Sequence, residues 1–277
     1  MTGEYGLTTE DLPLLALPDG AAGVDAGLTL TKVVRAAGGA VRGEVAPGRV
    51  SLDGAAPVGV TGAAITPLGL SGVETHELDA AARGAMALCA AAGRPVKGPF
   101  VLALLGTGTG TALVREGAVT HLGGTALGGG SFAGIGRRVA PELSYTELLA
   151  AAHRGDRRNA DLLIADAYPE GIGRIGADLT AAHLARTPGG SLDDFLAGLL
   201  NLHAENIAQI VASRARIAGV DRVVLAGGFA HGNPALVASL SAMAGMFGLA
   251  VDLAPSPGYA GAVGAALIAV EATGGRP

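Results

Sequence analysis

The sequence predicts an α/β protein of two lobes with a nucleotide cleft between them. Three observations carry that reading. Short β-like runs alternate with helical stretches along most of the 277 residues. A strand, a glycine turn and a second strand occur at Gly23 and again at Gly106, as the openings of two related halves. Glycine, 46 residues in all, falls between apolar stretches with no triplet period, which marks tight backbone turns of the kind that surround ligands.

Composition narrows the class. With 49% hydrophobic and 16% charged residues, the chain has ample apolar surface for a packed core. A formal net charge of −5 leaves no electrostatic footprint for nucleic acid, and the cluster Arg154, Arg157 and Arg158 is interrupted by Asp156, as on a solvated face. Cys89 is the sole cysteine, so no intrachain disulfide forms, and its alanine-rich surroundings suit a small core residue. The chain starts with Glu4, Glu10 and Asp11 in place of a basic then apolar leader. No apolar run reaches the ~20 residues of a membrane span. A cytoplasmic protein without membrane or nucleic-acid partners is the expectation.

Residues 1–19, with Pro13 and Pro18 and no sustained periodicity, read as an N-terminal arm. A first lobe over 20–98 follows. Its strands are expected at Ala21 to Asp25, Leu30 to Arg35, Ala40 to Glu44, Arg49 to Leu52 and Val58 to Thr61, and it closes with a helix over Asp79 to Ala92 that stops at Gly93. The second lobe, 99–277, opens with strands at Phe100 to Leu105, Thr111 to Val114 and Ala118 to Leu122. Helices are then expected at Tyr145 to Arg154, Arg157 to Tyr168, Leu192 to Ala218, Pro234 to Gly248 and Ala260 to Thr273. Two further strands fall at Arg222 to Ala226 and Leu249 to Leu253.

Glycine clusters mark the candidate chemistry. In Gly23-Val24-Asp25-Ala26-Gly27-Leu28-Thr29-Leu30-Thr31-Lys32, a strand reaches a carboxylate and resumes past a glycine turn. That arrangement brings Gly27 and Thr29 to a phosphate chain, with Asp25 to hold Mg²⁺ and Lys32 to neutralise phosphate charge. Taken alone, the segment also reads as an ordinary hairpin. The run Gly106-Thr107-Gly108-Thr109-Gly110-Thr111 offers more amide and hydroxyl donors than a β-turn requires, which makes a second phosphate cradle. Gly128-Gly129-Gly130 opens a helix whose N-terminus favours anions. Gly227-Gly228-Phe229 follows a strand and admits a flat adenine or ribose to the backbone. In His76-Glu77-Leu78-Asp79, Glu77 is the candidate base for an acceptor hydroxyl, while Asp79 better suits a helix start. ATP with Mg²⁺ is what this set calls for. His153, His183 and His203 have no metal-ligand spacing.

In order, these segments resemble the type II pantothenate kinases of the actin, sugar-kinase and heat-shock chaperone superfamily. The likeness runs from Gly23 through Glu77-Leu78-Asp79, Gly106 to Thr109 and Thr125 to Phe132. It continues through Gly155-Asp156, Asp161-Leu162 and Asp166-Ala167-Tyr168 to Asn206-Ile207, Val223 to Asn233 and Gly258 to Ala265. It implies a two-lobed actin-like ATPase (ribonuclease H-like) fold and ATP-dependent phosphorylation of the primary hydroxyl of pantothenate, the first step of coenzyme A biosynthesis. Also implied are acceptor contacts from Asp79, Thr107, His121 and Gly261, a homodimer along the helix Leu192 to Ala218, and CoA thioesters as inhibitors. Two positions depart from the family pattern. Leu28 replaces a second glycine of the first phosphate hairpin, and His121 replaces an arginine at the pantothenate end, with fewer donors than a guanidinium fork. They prompt two competing readings: a kinase of the same fold for another small alcohol, and a catalytically silent nucleotide- or CoA-binding regulator.

Overall fold

The computed structural model describes residues 7–13, 15–46, 50–173 and 175–275. The first half lays down β1 (Glu10–Asp11), β2 (Ala22–Ala26), β3 (Thr31–Ala37), β4 (Ala40–Ala46), β5 (Val58–Thr61), the short α1 (Ile65–Leu68), β6 (Val73–Glu74) and α2 (Glu77–Ala91). Its strands form one sheet in the order β1-β4-β3-β2-β5-β6. The second half runs β7 (Phe100–Leu105), β8 (Thr109–Arg115), β9 (Ala118–Thr125), α3 (Gly129–Val139), α4 (Tyr145–Arg154), β10 (Leu162–Leu163), β11 (Thr180–Ala182), α5 (Leu192–Ala218), β12 (Arg222–Ala226), α6 (Pro234–Met246), β13 (Ala250–Leu253) and α7 (Ala260–Ala272). Its main sheet has the order β13-β12-β7-β8-β9.

The two sheets follow one plan. In each, a central strand (β2 or β7) lies antiparallel to the strand after it and parallel to β5 or β12, with β6 or β13 parallel outside that. Strands enclosed in this way are buried on both faces, which is why β2 (AGVDA) and β7 (FVLALL) carry apolar runs with little alternation. The repetition expected from the two glycine hairpins is therefore present as topology.

The helices that follow the fifth strand of each half, α2 and α7, pack on each other, and α7 also lies across β2 and β5. Glycine permits this approach. A Cβ on Gly84 would overlap the carbonyl oxygen of Ala260, and one on Gly264 that of Ala80; Gly23 and Gly59 face the carbonyls of Ala262 and Ala265 in the same way. An ion pair between Arg83 and Glu271 joins the two helices. The expected second lobe, 99–277, thus returns its last helix to the first sheet.

Other expectations are corrected by local hydrogen bonding. Of the arm expected over 1–19, residues 1–6 lie outside the described residues, and the part from Leu7 is packed. Leu7, Leu12 and Leu15 are buried, β1 pairs with β4, and Tyr259 Oη donates to the Thr8 carbonyl at 2.7 Å. No helix runs from Arg157 to Tyr168. Short turns at Arg157–Asn159 and Ile164–Asp166 flank β10 instead. Asp156 and Asp166 take the backbone N–H groups of Arg158 and Leu163, and the buried Asp161 takes that of Leu184, so side chains outcompete a continuing helix. Arg157 is not on a solvated face: it donates to Thr180 Oγ1 at 3.1 Å and to the Asp178 carbonyl. Of the strand expected at Arg49 to Leu52, Arg49 lies outside the described residues and the rest is not a strand. There Ser51 Oγ donates to Asp53 Oδ2 at 2.7 Å. The 27-residue α5 buries its apolar face against α4 and α6, and Leu192 and Ile217 near its two ends are its exposed large hydrophobics among the described residues. No described helix is long and apolar enough to cross a membrane.

Overpacking the α2–α7 contact is expected to be costly. Gly84→Ala should lower unfolding free energy by about 1–3 kcal/mol in urea titrations. Gly245→Ala, in α6 with open space around the new methyl, should be neutral or stabilise by up to ~1 kcal/mol.

Candidate active site

Between the two sheets, the β2–β3 hairpin, the start of α2, the β7–β8 hairpin and the start of α3 converge on a cavity of about 720 Å³. On the first hairpin, Asp25 stands opposite Lys32 in the β2–β3 register, and Lys32 Nζ lies 2.8 Å from Asp25 Oδ2. Asp25 Oδ1 is buried without a hydrogen-bond partner among the described residues, and Asp25 sits behind Lys32, which lines the cavity where Asp25 does not. The turn is closed by Gly27 N–H donating to the Leu30 carbonyl at 3.1 Å. Leu28 lines the cavity and is 77% exposed. Thr29 Oγ1 reaches across to Thr107 Oγ1 at 2.9 Å and ties the two hairpins together.

Glu77 lines the cavity as the first residue of α2, whose start is capped by His76 Nδ1 accepting from Leu78 N–H at 3.3 Å. Burial raises the Glu77 pKa above the usual carboxylate value of 4.5, and the nearby Asp25 charge adds to it, while Lys32 and His76 pull the other way. Asp79 does not line the cavity. Its carboxylate lies 3.6 Å from His76 Nδ1 on the outer side of the helix start, so the structural role fits it and acceptor contact does not.

On the second hairpin, Gly106, Thr107, Gly108 and Thr109 all line the cavity. Among the described residues, no backbone or side-chain group takes the Thr107 and Gly108 N–H groups, which leaves them as donors for an anion. Thr109 Oγ1 instead donates to the Leu127 carbonyl at 2.8 Å. The glycine cluster behind this loop works differently from the sequence expectation. Gly129 N–H donates to the Gly106 carbonyl and Gly130 N–H to that of Thr107, both at 2.9 Å, while Gly128 N–H donates to Ser131 Oγ at 3.0 Å. The first amides of α3 therefore brace the Gly106–Gly108 loop, while Gly129 and Gly130 themselves also line the cavity. A Cβ on Gly128 would stand 2.6 Å from the Thr107 carbonyl oxygen, so only glycine allows the contact.

Gly228 and Phe229 line the cavity, whereas Gly227 lies against β7 at φ +101°, its N–H donating to the Pro257 carbonyl at 2.7 Å. Gly261 is not among the residues that line the cavity. It sits buried behind Asp25, where a Cβ would meet Oδ2 at 2.9 Å. His121 lies on β9 beside a bulge, exposed and lining the cavity. Sequence reasoning missed Leu7, Arg137 and Tyr145, which also line it. Arg137 follows Ala133 and Gly134 at helical spacing, a readable signal, but nothing in the sequence says which face of α3 looks inward.

Duplicated sheets of this topology, with two glycine hairpins and an acid of raised pKa around one cavity, fit a phosphotransferase of the actin-like ATPase fold. Solved structures agree on the fold. Component A of the (R)-2-hydroxyglutaryl-CoA dehydratase of Acidaminococcus fermentans superposes with a TM-score of 0.63 at 19% identity, over 92% of this chain and 98% of that one. A ROK family glucokinase from Streptomyces griseus, in complex with glucose and AMPPNP, gives 0.57 at 15% identity over 91% and 99%. By sequence, a type II pantothenate kinase of Oceanobacillus iheyensis is 29% identical over 260 residues, 88% of this chain and 98% of that protein. Pantothenate kinase 1 of Arabidopsis thaliana is 32% identical over 145 residues, 48% of this chain and 38% of its own length. The Fumble family model matches residues 92–268, and the chain belongs to that family, the type II pantothenate kinases.

Because Leu28 is largely exposed, Leu28→Ala should leave the KM for ATP within roughly twofold of the unaltered protein, as for most exposed substitutions. Steady-state kinetics with varied ATP checks this.

Proposed function

We propose that this protein transfers the γ-phosphoryl group of ATP to the primary hydroxyl of pantothenate. The observation that carries the reading is Glu77, with a raised pKa, lining one cavity together with two hairpins that offer phosphate donors. In the reaction, the acceptor O–H proton passes to the Glu77 carboxylate as the acceptor oxygen bonds to the γ-phosphorus. The bond from that phosphorus to the β–γ bridging oxygen breaks, and ADP leaves. The Thr107 and Gly108 amides and the Lys32 ammonium face the phosphates and offset their charge.

Mg²⁺ is part of the proposal. The buried and unpartnered Asp25 Oδ1 fits an oxygen ligand for such a hard cation, directly or through water. When bound, the ion would supply charge neutralisation on the phosphate oxygens. His121 lines the same cavity as Glu77 and is assigned to the acceptor in this reading. The family likeness also carries inhibition by CoA thioesters and a homodimer into the proposal.

Coupled detection of ADP with millimolar pantothenate tests the reading. Turnover above the ATP-only background supports it, and none at any acceptor concentration overturns the substrate. A panel of other hydroxy acids separates the alternative in which His121 selects a different alcohol. Glu77→Gln should lower kcat by about 10²- to 10⁴-fold while leaving ATP affinity nearly unchanged. Since the base must be ionised and its pKa is raised, activity should rise with pH through a midpoint above 4.5, a limb that pH-dependent kcat/KM measurements will locate.

A further inference from the structure

Behind the second phosphate hairpin, away from the cavity, three segments meet on one side chain. His203 of α5 is fully buried. Its Nδ1 lies 2.8 Å from the Leu199 carbonyl oxygen, which only accepts, so Nδ1 carries the ring proton. Burial holds the imidazole pKa below its usual value, so the ring is neutral and Nε2 is an acceptor. Facing Nε2 at 2.8 Å is the Ser131 hydroxyl. With its hydrogen turned toward His203, Ser131 Oγ presents a lone pair to Gly128 N–H at 3.0 Å. The ring also meets Phe132 and Phe229 edge-on, with centroids 6.0 Å away in each case. These neighbours in turn hold the phosphate loop. Phe229 N–H binds the Leu105 carbonyl, and the Gly129 and Gly130 N–H groups bind those of Gly106 and Thr107.

We propose that His203 is a positioning residue for nucleotide binding: through Ser131 and Phe229 it sets the place of the Gly106–Gly108 loop without touching substrate. The inference rests on the kinase reading above. An apolar side chain at 203 would leave the Ser131 hydroxyl without its acceptor, free to turn to the Gly128 carbonyl at 3.1 Å, and would release the brace that holds the loop.

The test compares His203→Leu, His203→Gln and Ser131→Ala with the unaltered protein, reading calorimetric Kd for a non-hydrolysable ATP analogue and the KM for each substrate. His203→Leu should weaken the analogue about tenfold and raise the KM for ATP alike, with the KM for pantothenate within about twofold. His203→Gln, which returns an amide oxygen near the position of Nε2, should recover most of that loss. Ser131→Ala should match His203→Leu, and the double variant should be no worse than either, as expected for links of one chain of contacts. Equal rises in both KM values, or a leucine variant as good as the glutamine one, would mean a general structural role and overturn the proposal. Should His203→Leu fail to fold, Ser131→Ala decides, and unchanged nucleotide affinity there overturns it. Absence of nucleotide binding by the unaltered protein is a separate result that removes the kinase reading and this inference together.

Discussion

The close approach of α7 to β2, β5 and α2 is the contact on which the rest of the structure depends. It is made by backbone against backbone, because Gly23, Gly59, Gly84 and Gly264 have no Cβ to hold the surfaces apart. Two chemical groups are placed by it. Asp25 ends the strand on which α7 lies, with Gly261 directly behind its carboxylate, and Glu77 begins the helix that α7 touches along its length. A few tenths of an ångström of extra side chain anywhere along this contact would move one carboxylate relative to the other. Close-packed interiors transmit such displacements and do not absorb them.

That spacing has an electrostatic consequence. Asp25 and Lys32 form a largely buried pair, so the first hairpin carries little net charge toward the cavity, yet the Asp25 charge still helps raise the Glu77 pKa. Burial is the larger cause. Glu77 is thereby a stronger base than a carboxylate of ordinary pKa, and Asp25 keeps one oxygen unpartnered among the described residues and another held by an ammonium. Two carboxylates near one another acquire different roles because their surroundings differ.

Most of this was legible in the chain because it is written in local patterns. Strands β5, β7 and β12 and helices α4 and α5 follow from apolar runs, serine caps with an acid three residues on, and glycine stops, and they fall where the sequence places them. Both phosphate hairpins and Glu77 were legible because their residue types sit at strand ends and a helix start. What escaped was set by partners distant in sequence. Leu7 is buried by contacts near residues 228 and 258 that no local window contains. The stretch from Arg157 to Tyr168 has helical composition but answers to Leu184, Asn201 and Thr180 instead. Gly261 and Gly128 carry the expected residue type, yet their neighbours show each making room for another segment, Asp25 in one case and the Gly106–Gly108 loop in the other.

The glycine cluster at 128–130 carries the wider lesson. A helix start rich in glycine suggests amides aimed at an anion, and in this protein the first amides of α3 are aimed at carbonyls of another loop. In the proposed reaction the phosphate donors are Thr107 and Gly108, whose amides point away from those carbonyls because the N–H and C=O of one trans peptide face opposite ways. Fixing one set of groups from behind leaves the other set oriented before any ligand arrives. A loop held in this way gives up its conformational freedom during folding, so the cost is already met when the nucleotide binds and the donors need no reorganisation as charge develops on the transferring phosphoryl group.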